Sequence, residues 1–122
     1  MAKILVVDDA ATVRMFLRSL LSSAEHEVIE AHDGIEGLEK ALSEPPDLAF
    51  VDINMPALDG YGMIRKLRAD PSTCSLPIIM CSTESKPVDE LHAYQAGANF
   101  YLRKPVDPTL VLALADIFGD PR

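Results

Sequence analysis

Short apolar runs alternate with amphipathic stretches along the whole chain. Ile4-Leu5-Val6-Val7 is a continuous apolar run that stops at Asp8-Asp9. Leu48-Ala49-Phe50-Val51 stops at Asp52, Ile78-Ile79-Met80-Cys81 at Ser82-Thr83, and Phe100-Tyr101-Leu102 at Arg103-Lys104-Pro105. Runs of this kind, rich in β-branched and aromatic residues, predict strands buried on both faces, as in a parallel sheet. Val28-Ile29, within Glu27 to Ala31, predicts a weaker strand at a sheet edge.

Between the runs the apolar positions take a helical period. Val13, Phe16, Leu17, Leu20 and Leu21 share one face, with Thr12 close to a plausible cap. Ile35, Leu38 and Leu42 do the same after Asp33-Gly34, and Met63, Ile64 and Leu67 after Asp59-Gly60. Val88, Leu91 and Gln95 follow Pro87, which suits a first helical turn, and Gly97 stops that helix. Leu110, Val111, Leu114, Ile117 and Phe118 form a last helix opened by Asp107-Pro108. Strand and helix thus alternate, which predicts an α/β fold with a parallel sheet and helices on both faces. Ligands of such sheets bind beyond the carboxyl ends of the strands, where the strand order reverses. The residues that follow each strand therefore carry the most functional weight.

Composition narrows the function. A chain of 122 residues predicts one domain, residues 1–122, with no room for an output domain. A formal net charge of -8 argues against a nucleic-acid surface, because phosphate neutralisation needs clustered Lys and Arg. The longest apolar run, Leu110 to Ala115, is far short of the ~20 residues of a membrane helix. No apolar stretch of signal-peptide length opens the chain, so a cytoplasmic location is expected. Cys74 and Cys81 are not at metal-ligand spacing; Cys81 reads as a core residue and Cys74 as a loop thiol.

The strand ends gather Asp8, Asp9, Asp52, Ser82, Thr83 and Lys104 on one edge. Crowded carboxylates raise one another's pKa unless a cation joins them. Such oxygen ligands suit Mg²⁺, which binds one or two carboxylates plus phosphate oxygens. Lys104 adds a mobile positive charge and Ser82 a hydroxyl donor. Acids, a divalent metal, a Lys and a hydroxyl make a site for phosphoryl transfer, and a carboxylate can itself carry an acyl phosphate.

Val6-Val7-Asp8-Asp9, Val51-Asp52-Ile53-Asn54-Met55-Pro56, Asp59-Gly60, Ser82 and Lys104-Pro105, in this order and spacing, resemble the response regulator receiver domain over essentially the whole chain. The resemblance implies a doubly wound five-stranded sheet of order 2-1-3-4-5. It implies that Asp52 is the phosphoacceptor for a sensor histidine kinase. Asp9 and Asp52 would bind Mg²⁺ directly, with the backbone carbonyl of Asn54, and Asp8 mainly through water. Lys104 would pair with Asp52 and then with the phosphoryl oxygens, and the Ser82 hydroxyl would turn to the phosphoryl group. Tyr101 would change rotamer and alter the face made by the fourth helix, fifth strand and fifth helix, where a downstream protein would dock. The protein would then be a switch rather than an enzyme, catalysing only its own phosphorylation and dephosphorylation, and a monomer or weak dimer.

Asn54 and Glu84, each two positions after a site residue, are similar to chemotaxis receivers with short-lived phosphates. The segment Ala96-Gly97-Ala98-Asn99-Phe100-Tyr101-Leu102 also resembles stand-alone receivers of that type. Ile53 stands where a Trp often follows the acceptor. Thr83 replaces a common Ala or Gly and would narrow access to Asp52.

Plainer readings stand beside these. Asp8-Asp9 can serve a helix start, Ser82-Thr83 can end a strand, and Tyr101 can be packing. His26, His32 and His92 read as solvent-exposed, Met15, Met55, Met63 and Met80 as core or turn packing, and Arg65, Lys66 and Arg68 as a solvated face. The last helix is apolar more widely than one core-facing stripe requires, which fits either deep packing or a partner face. A phosphorelay intermediate passing its phosphoryl group to a histidine phosphotransfer protein is the nearest rival function. A haloacid-dehalogenase-type phosphatase needs a second Asp where Asn54 stands. A flavin mononucleotide carrier would not place Asp8-Asp9 against a phosphate.

Overall fold

A computed structural model describes residues 1–119. The expected domain ran to Arg122, and residues 120–122 lie outside the described residues. Five strands, β1 (Lys3–Val7), β2 (Glu27–Ala31), β3 (Leu48–Asp52), β4 (Ile78–Ser82) and β5 (Phe100–Arg103), alternate with five helices. The helices are α1 (Ala11–Ser23), α2 (Gly34–Ser43), α3 (Gly60–Ala69), α4 (Pro87–Ala96) and α5 (Pro108–Phe118). The strands pair in parallel in the order β2-β1-β3-β4-β5. β2 lies at an edge, as its weaker pattern predicted. The sheet order matches the order that the resemblance implied.

β3 and β4 are buried at every position, which explains their unbroken apolar sequence. One core layer joins Leu5, Val7, Val51 and Met80 to Ala41 of α2, Met63, Ile64 and Leu67 of α3, and Ala93 of α4. The other joins Ile4, Val6, Phe50 and Ile79 to Leu17 and Leu21 of α1 and Val111 and Leu114 of α5. Alternate side chains of each strand thus feed opposite layers.

Helix boundaries follow local chemistry. Asp33 and Asp59 cap α2 and α3 by accepting the Glu36 and Gly62 N–H groups, and Asp107 accepts the Thr109 N–H at α5. Gly97 ends α4 in the left-handed region, at φ 119°. The cap of α1 is Ala10, two residues before Thr12, and it makes no side-chain hydrogen bond to the helix.

Several expected inward faces turn out otherwise. α2 buries Gly34, Gly37 and Ala41, leaving Ile35 and Leu42 exposed. A Cβ at Gly37 would meet Met63 Cε at 2.8 Å, so close helix packing selects the small residues. α4 likewise buries Ala93 and Ala96, leaving Val88, Leu91 and Gln95 outside, with Leu91 54% exposed. Phe16 and Met15 of α1 are exposed, and on α5 Ile117 is 69% exposed.

Two polar positions expected at the surface are committed to backbone groups instead. His26 is buried, and its Nδ1 accepts the Ala2 N–H at 3.0 Å. Arg68 folds back over the ends of β4 and α4. Its guanidinium donates to the carbonyls of Leu76 (2.6 Å), Gly97 (2.8 Å) and Cys74 (3.1 Å) and to Asn99 Oδ1 (2.9 Å). His32 and His92 are exposed, as expected, and Cys74 and Cys81 are exposed and buried respectively. Burial pushes the Cys81 thiol up to about 12, so it stays protonated and inert.

Candidate functional site

The parallel registers bring the carboxyl ends of β1, β3, β4 and β5 to one edge. Asp52 lies opposite Cys81, and Ser82 opposite Arg103. Two hydrogen bonds carry the ladder one residue further, from the Asp8 N–H to the Ala31 carbonyl (3.1 Å) and from the Lys104 N–H to the Ser82 carbonyl (2.8 Å). These extensions fix where Asp8 and Lys104 leave the sheet.

Lys104 Nζ lies 2.7 Å from Asp8 Oδ2 and 2.8 Å from Asp52 Oδ1. Asp8 and Asp52 are buried, and Asp9 is exposed. The Ala10 N–H donates to Asp8 Oδ1 at 2.9 Å. The three carboxylates each offer an oxygen, all within 4.8 Å of one another.

Burial raises the Asp52 carboxyl pKa, the Lys104 hydrogen bond opposes it, and the Asp8 and Asp9 charges add to the rise. Burial alone would lower the Lys104 pKa, but the hydrogen bonds and charges of Asp52 and Asp8 turn the net displacement upward. The two results are consistent because Lys104 faces two carboxylates, whereas Asp52 faces one ammonium and two like charges. The site therefore carries excess negative charge that one lysine does not neutralise. That excess and an all-oxygen donor set fit a hard divalent cation such as Mg²⁺.

The loop after β3 is shaped by backbone contacts. The Gly60 N–H donates to the Ile53 carbonyl at 2.8 Å. A Cβ at Gly60 would lie 2.3 Å from the Asp52 carbonyl oxygen, so only glycine lets α3 start this close to the acid. Asn54 is exposed on this loop, and its carbonyl accepts no hydrogen bond among the described residues. Asn54 O is thus free to serve as a further ligand.

Ser82 and Tyr101 meet through Glu84. The Glu84 N–H donates to Ser82 Oγ at 3.0 Å, and the Tyr101 hydroxyl donates to the Glu84 carbonyl at 2.7 Å. Ser82 is fully buried, and Tyr101 is turned inward and buried. Thr83 is exposed and lines an apolar cleft of about 430 Å³ with Val13, Phe16, Lys104 and Val106. Thr83 and Lys104 thus share the wall of one cleft beside α1.

The structure brings Asp8, Asp9, Asp52 and Lys104 together, with Ser82 at the end of β4, Tyr101 inside β5, and Asn54, Thr83 and Glu84 on the loops that follow β3 and β4. Sequence reasoning passed over Arg14. Arg14 Nη1 donates to the Asp8 carbonyl at 2.6 Å, and its Nε meets Glu30 Oε1 at 3.3 Å. A signal existed: Glu30 is a charge inside a predicted strand, and Arg14 and Arg18 lie one helical turn apart.

Comparison with known proteins agrees with this geometry. Residues 4–116 match the family model described as the response regulator receiver domain. Protein PilH of Pseudomonas aeruginosa is 38% identical over 112 residues, covering 92% of this chain and 93% of that protein. Chemotaxis protein CheY1 of Helicobacter pylori is 37% identical over 111 residues, covering 89% of this chain and 90% of its own. The structure of chemotaxis protein CheY4 of Vibrio cholerae superposes with a TM-score of 0.90 at 33% identity, covering 97% of this chain and 98% of that one.

Proposed function

The chain belongs to the response regulator receiver domain family, and on that premise we propose that it is a chemotaxis-type switch phosphorylated on Asp52. Receiver domains are signalling switches rather than classical enzymes, and they act between a histidine kinase and downstream targets. The single observation that carries the site assignment is Lys104 held between Asp8 and Asp52 at the carboxyl edge of the sheet.

In this reading an Asp52 carboxylate oxygen attacks the phosphorus of a kinase phosphohistidine. The P–N bond breaks, the histidine leaves with its electron pair, and an acyl phosphate forms on Asp52. Asp8, Asp9, Asp52 and the Asn54 carbonyl are the residues that would hold Mg²⁺. The ion would offset charge on the phosphoryl oxygens. Lys104 then moves its ammonium from the carboxylates to a phosphoryl oxygen.

The Ser82 hydroxyl would turn to another phosphoryl oxygen and withdraw from the Glu84 N–H. Because Glu84 also receives the Tyr101 hydroxyl, that turn frees the tyrosine to repack. The exposed Val88, Leu91 and Tyr94 belong to α4, which packs against β5, and would form part of the docking face. CheY1 and CheY4 bear the name of chemotaxis proteins, which favours an output of that type here.

Acetyl phosphate or beryllofluoride with Mg²⁺ tests the assignment. Wild type should gain the adduct by intact mass, and Asp52→Asn should not. An adduct persisting in Asp52→Asn would sink it.

A further inference from the structure

We propose that Arg14 is a positioning residue for the acidic site: through the Asp8 carbonyl it sets the Asp8-Asp9 peptide and so aims the Asp9 carboxylate at the cation. The inference rests on the Mg²⁺ reading above.

Every polar atom of Asp8 is held. Its N–H donates to the Ala31 carbonyl at 3.1 Å. Oδ1 accepts the Ala10 N–H at 2.9 Å, and Oδ2 accepts Lys104 at 2.7 Å. The carbonyl accepts Arg14 Nη1 at 2.6 Å. The Ala10 N–H bond to Oδ1 closes a turn around the peptide that leads to Asp9, and the Arg14 contact grips that peptide directly at its carbonyl. The Asp8 carbonyl and the Asp9 N–H share one rigid plane, so orienting the first orients the second.

Asp9 depends on that plane. Its carboxylate accepts no hydrogen bond among the described residues, and it is the exposed member of the three acids. With no side-chain partner of its own, its oxygen stays near those of Asp8 and Asp52 through the direction of its backbone and its rotamer.

Arg14 is itself braced. Its Nε meets Glu30 Oε1 at 3.3 Å, and Arg18 Nη1 holds Glu30 Oε2 at 2.6 Å. The Arg14 side chain is only 18% exposed, so water competes weakly for these bonds. The planar guanidinium serves the carbonyl with one nitrogen and the carboxylate with another, a fork that a lysine ammonium does not reproduce. Outer-shell partners of this sort orient the groups that ligate a metal.

Calorimetric Mg²⁺ titration of wild type, Arg14→Ala, Arg14→Lys and Glu30→Gln tests the proposal, alongside the rate of Asp52 modification by acetyl phosphate as Mg²⁺ is varied. Arg14→Ala should bind Mg²⁺ about tenfold more weakly, Arg14→Lys nearly as weakly, and Glu30→Gln about threefold. At saturating Mg²⁺ all should reach the wild-type modification rate, because the acids themselves are intact. Wild-type Mg²⁺ affinity in the Arg14 variants overturns the proposal, as does a lowered plateau rate with an unmoved Mg²⁺ midpoint. Should Arg14→Ala fail to fold, Arg14→Lys and Glu30→Gln decide by the same criteria. Failure of wild type to bind Mg²⁺ is a separate result that removes the metal reading and this proposal with it.

Discussion

Asp8 and Lys104 lie 96 positions apart in the chain and meet at 2.7 Å, with the lysine also 2.8 Å from Asp52. Asp8 follows β1, Asp52 ends β3 and Lys104 follows β5, so this contact closes the site across the four neighbouring strands β1, β3, β4 and β5. Removing Nζ leaves two buried carboxylates facing each other. Lys104→Met should destabilise the protein by about 3 kcal/mol at neutral pH, the usual scale for stripping one partner from a buried pair. Added Mg²⁺ should narrow the gap, since it replaces the missing charge. Urea denaturation with and without Mg²⁺ measures both, and an equal deficit in the two conditions would contradict the shared-charge account.

Gly60 predicts a reversed sign. An alanine in a helical position ordinarily gains about 0.5–1 kcal/mol over glycine. Here the added Cβ would meet Asp52 O at 2.3 Å and Ile53 Cα at 2.9 Å, both backbone atoms that cannot step aside cheaply. Gly60→Ala should therefore lose roughly 1–3 kcal/mol. It should also slow Asp52 modification by acetyl phosphate. Thermal unfolding and adduct kinetics on one preparation check the pair.

Arg68 holds the join between α3, α4 and β5. Its donors satisfy the Gly97, Leu76 and Cys74 carbonyls and Asn99 Oδ1, and Asn99 Oδ1 also accepts the Ile78 N–H at 2.8 Å. Arg68→Ala should cost about 2–3 kcal/mol through stranded acceptors. Arg68→Lys should recover only part of it, because one ammonium cannot span that set. Chemical denaturation gives the ranking, and a lysine variant as stable as wild type would refute the fork argument.

His32 carries the pH prediction. Its Nδ1 lies 2.7 Å from Glu36 Oε1, and the hydrogen bond and charge of Glu36, then the charge of Asp33, raise its pKa above 6.5. Folding thus favours the protonated ring. The stability it lends is fully present below pH 6.5 and is lost as the pH rises through the raised value. His32→Gln should be less stable than wild type near pH 6 and equal to it well above the raised pKa. NMR titration should place His32 above 6.5 and return it toward that value in Glu36→Gln. An unmoved titration in Glu36→Gln would count against the pairing.

The architecture and the cluster of acids with Lys104 were legible in one dimension for a physical reason. A strand buried on both faces needs an unbroken apolar run, and the residue that ends it must tolerate the sheet edge. Val7 before Asp8, Val51 before Asp52 and Cys81 before Ser82 each mark such a boundary. The family resemblance then placed those ends in spatial order, which the sheet reproduces.

Helix faces were decided only in three dimensions. α2 and α4 lie so near their neighbours that Gly37, Ala41, Ala93 and Ala96 turn inward, and the larger Ile35, Leu42, Val88 and Leu91 are left outside. A hydrophobicity pattern ranks side chains by transfer free energy, whereas close helix packing selects by volume. His26, Arg14 and Arg68 follow the same logic. Each is polar by type, yet each is committed to a backbone group, at Ala2, Asp8 and Gly97 respectively. Such bonds depend on direction and distance between separate elements, and these come into being only when the sheet assembles.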